Sequence, residues 1–274
     1  HRNYSKGPAY ELLASILGNG LVTSEGEHWK KQRKLIQPIF QKARLRIYSE
    51  IMLDLALEEV RALEAVADSG GYVDVFSRMM DLALKIVART VLGADVQAQE
   101  RKIHDSFSVI LHHIEILSTS KLRFLELLPG GSRLRGVRKW LSGLPGGERK
   151  QFLHAIAALR SVIGGVISQR RAELSGTKTA KSAVDTTAPD MVTLLLQAKD
   201  ESGRPAMSDA EIQDEVMTLF LAGHETTATA LTWTFYLLAK YPEYQGKIRG
   251  QIEAVLQDRI PLHEDLASLS MCQW

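Results

Sequence analysis

The residues with the most chemical potential are neighbours. Apart from the phenol of Tyr236, His224 and Glu225 are the only ionisable side chains in the 24 residues from Val216 to Ala239, and they lie near the middle of that apolar stretch. A carboxylate in an apolar interior must take up a proton, find a partner or do a job, because its bare charge is too costly there. Beside it, Thr226 can turn its hydroxyl onto the carbonyl of Ala222 four residues back, and Gly223 weakens the same turn by roughly 0.5–1 kcal/mol relative to alanine. A loosened turn that offers a carbonyl, a hydroxyl and a carboxyl group suits a proton relay better than a packing contact. Ala222, Thr226 and Ala230 recur every four residues, so they line one shallow groove with Gly223 beside it, open to something flat. His224-Glu225 also opens like the zinc motif H-E-x-x-H, but position 228 is alanine and the second ligand is missing.

A second constellation lies near the start. Trp29 and Arg33 are four residues apart and share a helical face. An indole N–H and a guanidinium are donors without an acceptor between them, which suits a carboxylate or phosphate approached from one side. The competing reading is a tryptophan packed in the core with the arginine stacked on it. Lys30, Lys31 and Lys34 make the same helix basic, as a solvated face or as a dock for an acidic partner. Nucleic acid is not expected, since no second basic cluster of that density adjoins in sequence. His104, His112 and His113 share a helical stretch, but two turns separate the first two, too far to share a metal without a third element.

The elements that position these residues are helical. Ser208 and Glu211 form a capping-box pair and Pro242 sets the far limit, so one helix is expected from Asp209 to Lys240, about 48 Å long at ~1.5 Å per residue. Apolar on nearly every side, it reads as a rod buried in a large core. Ser24 and Glu27 form a second such pair, opening a helix that Pro38 must end. A short helix is expected around Leu12–Leu17, with further amphipathic ones over 50–67, 73–92 (stopped by Gly93), 102–117, 149–174 and 243–256. Asp190 caps a short helix through Ala198. Residues 118–148, punctuated by Pro129-Gly-Gly and Pro145-Gly-Gly around a basic stretch, read as a mobile lid or surface element, and residues 175–189 as a flexible surface loop. Without repeats or convincing strands, the fold class is mainly α, in a single domain over residues 1–274.

Composition agrees with a globular protein: 45% hydrophobic and 24% charged residues in a chain of 274. The net charge of +2 divides into +6 over residues 1–150 and −4 over 151–274, so the basic charge lies in the first half. One cysteine, Cys272, excludes an internal disulfide framework and fits a reducing, cytoplasmic compartment. No secretory signal is visible; membrane association stays open, with no anchor visible in this sequence. The chain opens on His1 without methionine and is expected to be cut from something longer.

Two motifs then agree. Ala222 through Thr227 resembles the [A/G]-G-x-[D/E]-T-[T/S] signature of the long central helix of cytochrome P450 haem-thiolate monooxygenases. Trp29-x-x-x-Arg33, with Glu25-Gly-Glu-His-Trp before it and Pro38-Ile-Phe40 after it, resembles their haem-propionate-binding helix. The resemblance covers nearly the whole chain and implies an incomplete P450 fold that stops just before the E-x-x-R helix. It implies haem as cofactor, with Trp29 and Arg33, and less directly His28, donating to a propionate. Ala222 and Gly223 would flank the oxygen-binding groove, Thr226 would hydrogen-bond the reacting oxygen, and Glu225 would pass protons inward. The implied partners are O2, a hydrophobic small-molecule substrate and an electron-transfer protein (ferredoxin, flavodoxin or reductase), the electrons coming from NAD(P)H. The family's thiolate loop, F-x-x-G-x-x-x-C-x-G, is not in the sequence, and Cys272 lacks its glycine-framed surroundings. The axial ligand is therefore expected outside this chain, and the chain alone is expected to be inactive.

The competing class is a non-catalytic helical membrane or interaction protein with a single span at 216–239. Against it stand a glutamate at mid-span and six threonines between Thr218 and Thr234.

Overall fold

A computed structural model describes residues 6–7, 9–93, 99–119, 147–176 and 189–272. Among them the helices are α1 (Ala9–Leu17), α2 (Gly26–Ile36), α3 (Lys42–Asp68), α4 (Val75–Val87), α5 (Glu100–Thr119), α6 (Gly147–Leu174), α7 (Met191–Gln197), α8 (Asp209–Lys240) and α9 (Pro242–Leu256). Short 3-10 segments follow α2 and α9, and the one β contact among the described residues is the isolated bridge between Lys199 and Pro205. The mainly α expectation holds. Of the expected lid over 118–148 and surface loop over 175–189, residues 120–146 and 177–188 lie outside the described residues.

The limits of α8 have the expected causes. Glu211 Oε2 accepts from the Ser208 backbone N–H at 2.7 Å while the Glu211 N–H reaches Ser208 Oγ at 3.3 Å, a reciprocal cap. At the other end Tyr241 takes φ −127°, ψ 76°, outside the helical region, because Pro242 follows.

The contacts form two units. In one are α1, α2 as far as Gln32, α5, α6 and α8 as far as Thr218. Ile103, Phe107 and Ile110 on α5 recur at three- and four-residue spacing, as do Phe152, Ile156, Leu159, Ile163 and Ile167 on α6; all are buried where the two helices pack. His113 of α5 stacks on Phe152 of α6, ring centroids 4.4 Å apart. Arg160 on α6 donates to Asp214 Oδ1 at 2.9 Å and to the Ile16 carbonyl at 3.3 Å, tying three helices together. The turn after α1 lies close on α8: Gly18, at φ +70°, leaves no room for a Cβ beside the Asp214 carboxylate, whose other oxygen accepts from the Asn19 N–H at 2.8 Å.

The other unit contains α2 from Arg33, α3, α4, α7, α8 from Leu219, and α9. Its core brings together Ile51 and Leu55 of α3, Met79, Met80, Leu82 and Ala83 of α4, and Ala228 of α8. Arg78 grips Glu59 with two hydrogen bonds, 2.6 and 2.9 Å, across the α3–α4 contact.

Four expectations need correction. The helix predicted over 73–92 ends as an α-helix at Val87 and continues as a π turn over Ala88–Leu92, where Thr90 Oγ1 back-bonds to the Ile86 carbonyl at 2.7 Å; Gly93 then closes it at φ +59°. Helix α3 starts eight residues earlier than apolar periodicity suggests, because Gln41 is extended and the Lys42–Ile47 stretch is made of good helix formers. The Ser24–Glu27 pair does not cap reciprocally: the buried Ser24 hydroxyl donates to Gln32 Oε1 at 2.8 Å and Glu27 takes Lys30 at 2.6 Å. Finally, α8 is not buried throughout, for Trp233, Phe235, Tyr236 and Leu237 are exposed.

The competing single span at 216–239 also loses its basis. Among the described residues, the helix long and apolar enough to cross a membrane is α6, not α8, and the apolar face of α6 packs on α5.

Candidate active site

The site is one turn of α8 with two opposed sides. Toward α4, His224 has no exposed surface and its Nε2 lies 3.1 Å from the carbonyl oxygen of Met80. Because a carbonyl only accepts, Nε2 carries the proton of that bond. Gly223 meets α4 as well: a Cβ there would stand 2.9 Å from Val87 Cγ2. Ala228, one turn beyond His224, is fully buried in the α3–α4 core.

Away from α4 the helix is open. Ala222, Thr226 and Ala230 are exposed in one strip of small side chains. The predicted back-bond is present, Thr226 Oγ1 donating to the Ala222 carbonyl at 2.5 Å. A hydroxyl has one proton to give, so Thr226 turns its remaining lone pairs outward as an acceptor. Glu225 lies between the two sides, half-buried, and burial raises its carboxyl pKa above the ordinary range. Acid and alcohol are therefore consecutive, the acid with its pKa raised by burial and the alcohol with lone pairs left to accept a hydrogen bond.

On α2, Trp29 is half-buried and Arg33 exposed, one turn apart on the same face. His28 is half-buried, its Nε2 3.3 Å from the Asn19 carbonyl, which also accepts from Gln32 Nε2 at 3.0 Å. Lys30, Lys31 and Lys34 are exposed. The candidate residues thus form two groups, Ala222, Gly223, Glu225 and Thr226 on one turn of α8 and His28, Trp29 and Arg33 on α2. Cys272 is exposed in a short 3-10 segment. Sequence reasoning missed the partners of two buried groups. His224 anchors the turn to α4, a role visible only once its face is known. Glu215, also with no exposed surface, accepts from the Leu21 N–H at 3.0 Å.

These observations define a helical protein whose central helix pairs an acid and an alcohol on a softened turn beside an open strip of small residues. Comparison with known proteins gives the family. The cytochrome P450 family model matches residues 2–274, so the chain belongs to the cytochrome P450 family. It is 31% identical over 267 residues to cyclooctatin synthase of Streptomyces melanosporofaciens, covering 97% of this chain and 52% of that protein. It is 30% identical over 274 residues to pentalenene oxygenase of Streptomyces avermitilis, covering 98% and 53%. A crystal structure of a cytochrome P450 (CYP102L1) superposes with a TM-score of 0.71 at 20% identity, covering 97% of this chain and 56% of that one, which shows the fold. The chain spans about half the length of the curated relatives it matches.

Proposed function

We propose that this chain forms the oxygen-activating side of a haem-dependent monooxygenase that inserts one atom of O2 into a hydrophobic organic substrate. The observation that carries the reading is the Glu225–Thr226 turn: a carboxyl that burial inclines to keep its proton, next to a hydroxyl whose own proton is committed to Ala222. Its residues fit a haem. The exposed strip of Ala222, Thr226 and Ala230 lets a flat group approach α8 closely. On α2, taken by itself, Trp29 and Arg33 share one helical face and are the residue types that a propionate would take. When bound, haem would supply the iron at which O2 is activated and from which oxygen reaches the substrate. Its thiolate would come from outside these 274 residues, since the single cysteine, Cys272, is exposed and lacks a glycine-framed loop.

The residues divide the work by position. Ala222 leaves room over the open face, Gly223 lets α4 approach behind it, and the Thr226 hydroxyl would accept a hydrogen bond from the reacting oxygen once that oxygen carries a proton and hold it in line. Glu225 would give its proton toward that oxygen through an intervening water and not through Thr226, whose own proton is held by the Ala222 carbonyl, and would recover one from solvent on its open side. Water has to be kept from the oxygen except along this path, which small apolar neighbours achieve better than polar ones. The exposed Lys30, Lys31 and Lys34 suit an acidic electron-transfer partner, with association that weakens as salt rises.

The test compares these 274 residues with a chain extended to include the F-x-x-G-x-x-x-C-x-G loop. Only the extended chain should show the reduced, CO-bound absorbance of thiolate-ligated haem and convert an apolar substrate with O2 and NAD(P)H. That absorbance from residues 1–274 alone would refute the assignment of the ligand, and its absence from the extended chain would refute the haem reading.

A further inference from the structure

We propose that His224 is a positioning residue: its hydrogen bond to the Met80 carbonyl sets the rotation of α8 about its own axis and so holds Thr226 and Glu225 in their working directions. The inference rests on the proton-relay reading of those two residues and adds the group that aims them.

The turn that carries the relay is poorly braced from within. Gly223 gives it backbone freedom, and the Thr226 hydroxyl competes for the Ala222 carbonyl at 2.5 Å. Its contacts with α4 are mostly small and apolar, Gly223 against Val87 and Ala228 in the α3–α4 core. Such contacts resist separation of the two helices, but they have little preference for one rotational setting over another a few tens of degrees away. A hydrogen bond differs, because it weakens steeply as distance and angle depart from their optimum. The imidazole of His224, without exposed surface, makes that directional contact at 3.1 Å.

The acceptor is well suited to this role. Met80 lies inside α4, where one lone pair of its carbonyl belongs to the helical ladder and the second can take an outside donor. The anchor therefore costs α4 none of its own bonds. It also fixes two elements at once, since Met79 and Met80 are part of the buried cluster that joins α4 to α3.

Geometry shows what the anchor protects. Side-chain tips stand about 5 Å from a helix axis, so rotation by about 30° moves Thr226 Oγ by about 2.6 Å, nearly a whole hydrogen-bond length. A misplacement of about 1 Å in a reacting assembly costs on the order of 100-fold in rate. His224 and Thr226 lie on opposed sides of the same turn, one fully buried and the other exposed, so holding the first holds the second.

The experiment uses the haem-loaded enzyme with its thiolate-bearing sequence present and compares His224→Leu, His224→Gln and His224→Asn with Thr226→Ala. Leucine fills the space without a donor, glutamine places an N–H near the reach of Nε2, and asparagine is too short. Two diagnostic quantities are read, the fraction of reducing equivalents lost to peroxide and hydrogen exchange of the amides across 222–228, with the substrate dissociation constant as a control. His224→Leu and His224→Asn should raise the peroxide fraction several-fold and speed exchange about tenfold, while the substrate dissociation constant changes less than about threefold. His224→Gln should return both readouts most of the way to wild type. Should the leucine variant fail to accumulate, the glutamine–asparagine contrast decides alone, and equal behaviour of that pair overturns the proposal. Wild-type coupling in His224→Leu with uncoupling in Thr226→Ala also overturns it and leaves the relay standing. Wild-type coupling in Thr226→Ala removes the relay beneath it.

Discussion

The carboxyl group of Glu215 has no surface open to solvent and is hydrogen-bonded through Oε2 to the backbone N–H of Leu21 at 3.0 Å, while Oε1 has no hydrogen-bond partner among the described residues. Burial pushes its pKa up to about 7; the Leu21 bond pulls it back, and the nearby Asp214 and Glu211 charges push it further up. Glu215 therefore stays protonated in the fold at pH values where the unfolded chain has released that proton.

The first prediction follows by linkage. Between an ordinary glutamate pKa near 4.5 and about 7 the folded state binds more protons than the unfolded one, so this group's contribution to stability falls as pH rises through that window. The change is on the order of 1–3 kcal/mol. Glu215→Gln, which imitates the protonated acid, should melt close to wild type at pH 5 and several degrees higher at pH 8. Thermal unfolding at four pH values checks this, and parallel melting curves for the two proteins would count against it.

The second concerns Gly93, at φ +59° directly after the π turn, where a built Cβ would come 2.3 Å from Asp190 Oδ2. That carboxylate caps α7, accepting from the Thr193 N–H at 2.8 Å and the Thr193 hydroxyl at 2.9 Å. Gly93→Ala should cost about 2–4 kcal/mol, left-handed strain plus a disturbed cap. Gly70 supplies the control, with φ +68° but open space around it, so Gly70→Ala should cost only about 1 kcal/mol. Urea denaturation of the two variants compares them, and equal losses would show that backbone conformation alone sets the cost.

How much of this was legible depended on whether the signal was local. The ends of α8 could be read because a reciprocal cap and a proline act within a few residues, and the Thr226 back-bond because it spans a single turn. Ser24 misled because its hydroxyl found Gln32, a partner that the capping pattern does not consider. His224 and Glu215 could be seen as buried polar candidates at most, since their partners, Met80 and Leu21, lie 144 and 194 residues away in sequence. Periodicity, for its part, cannot distinguish an α-helix from one that relaxes into a π turn at Ala88.

The third prediction separates the two functions of the Thr226 hydroxyl. Thr226→Val keeps the shape and removes both the back-bond and the acceptor, whereas Thr226→Ser keeps both. Loss of the back-bond should leave the stability of α8 unchanged or slightly higher, because it relieves competition for the Ala222 carbonyl. Loss of the acceptor should divert most reducing equivalents to peroxide. Parallel assays of NAD(P)H, peroxide and product should place serine near wild type and valine far from it. Equal coupling in both variants would remove the hydroxyl from the chemistry.

The fourth rests on Glu225, whose pKa burial raises above the ordinary carboxylate range. Its protonated fraction declines as pH climbs through that raised value, so if this carboxyl delivers the proton, turnover should decline on the alkaline side with it. Glu225→Gln keeps the size and hydrogen-bonding but cannot release a proton, and should lower kcat by about 100-fold, within the ordinary range for general acid catalysis, while flattening that limb of the profile. Glu225→Asp restores an acid on a shorter stem, so it should recover the limb at reduced amplitude. Substrate dissociation constants should move little in either variant, because the carboxyl acts on a proton and not on the apolar substrate. The decisive comparison is kcat against pH for the three proteins at saturating substrate: an unchanged alkaline limb in Glu225→Gln would assign the proton to another group.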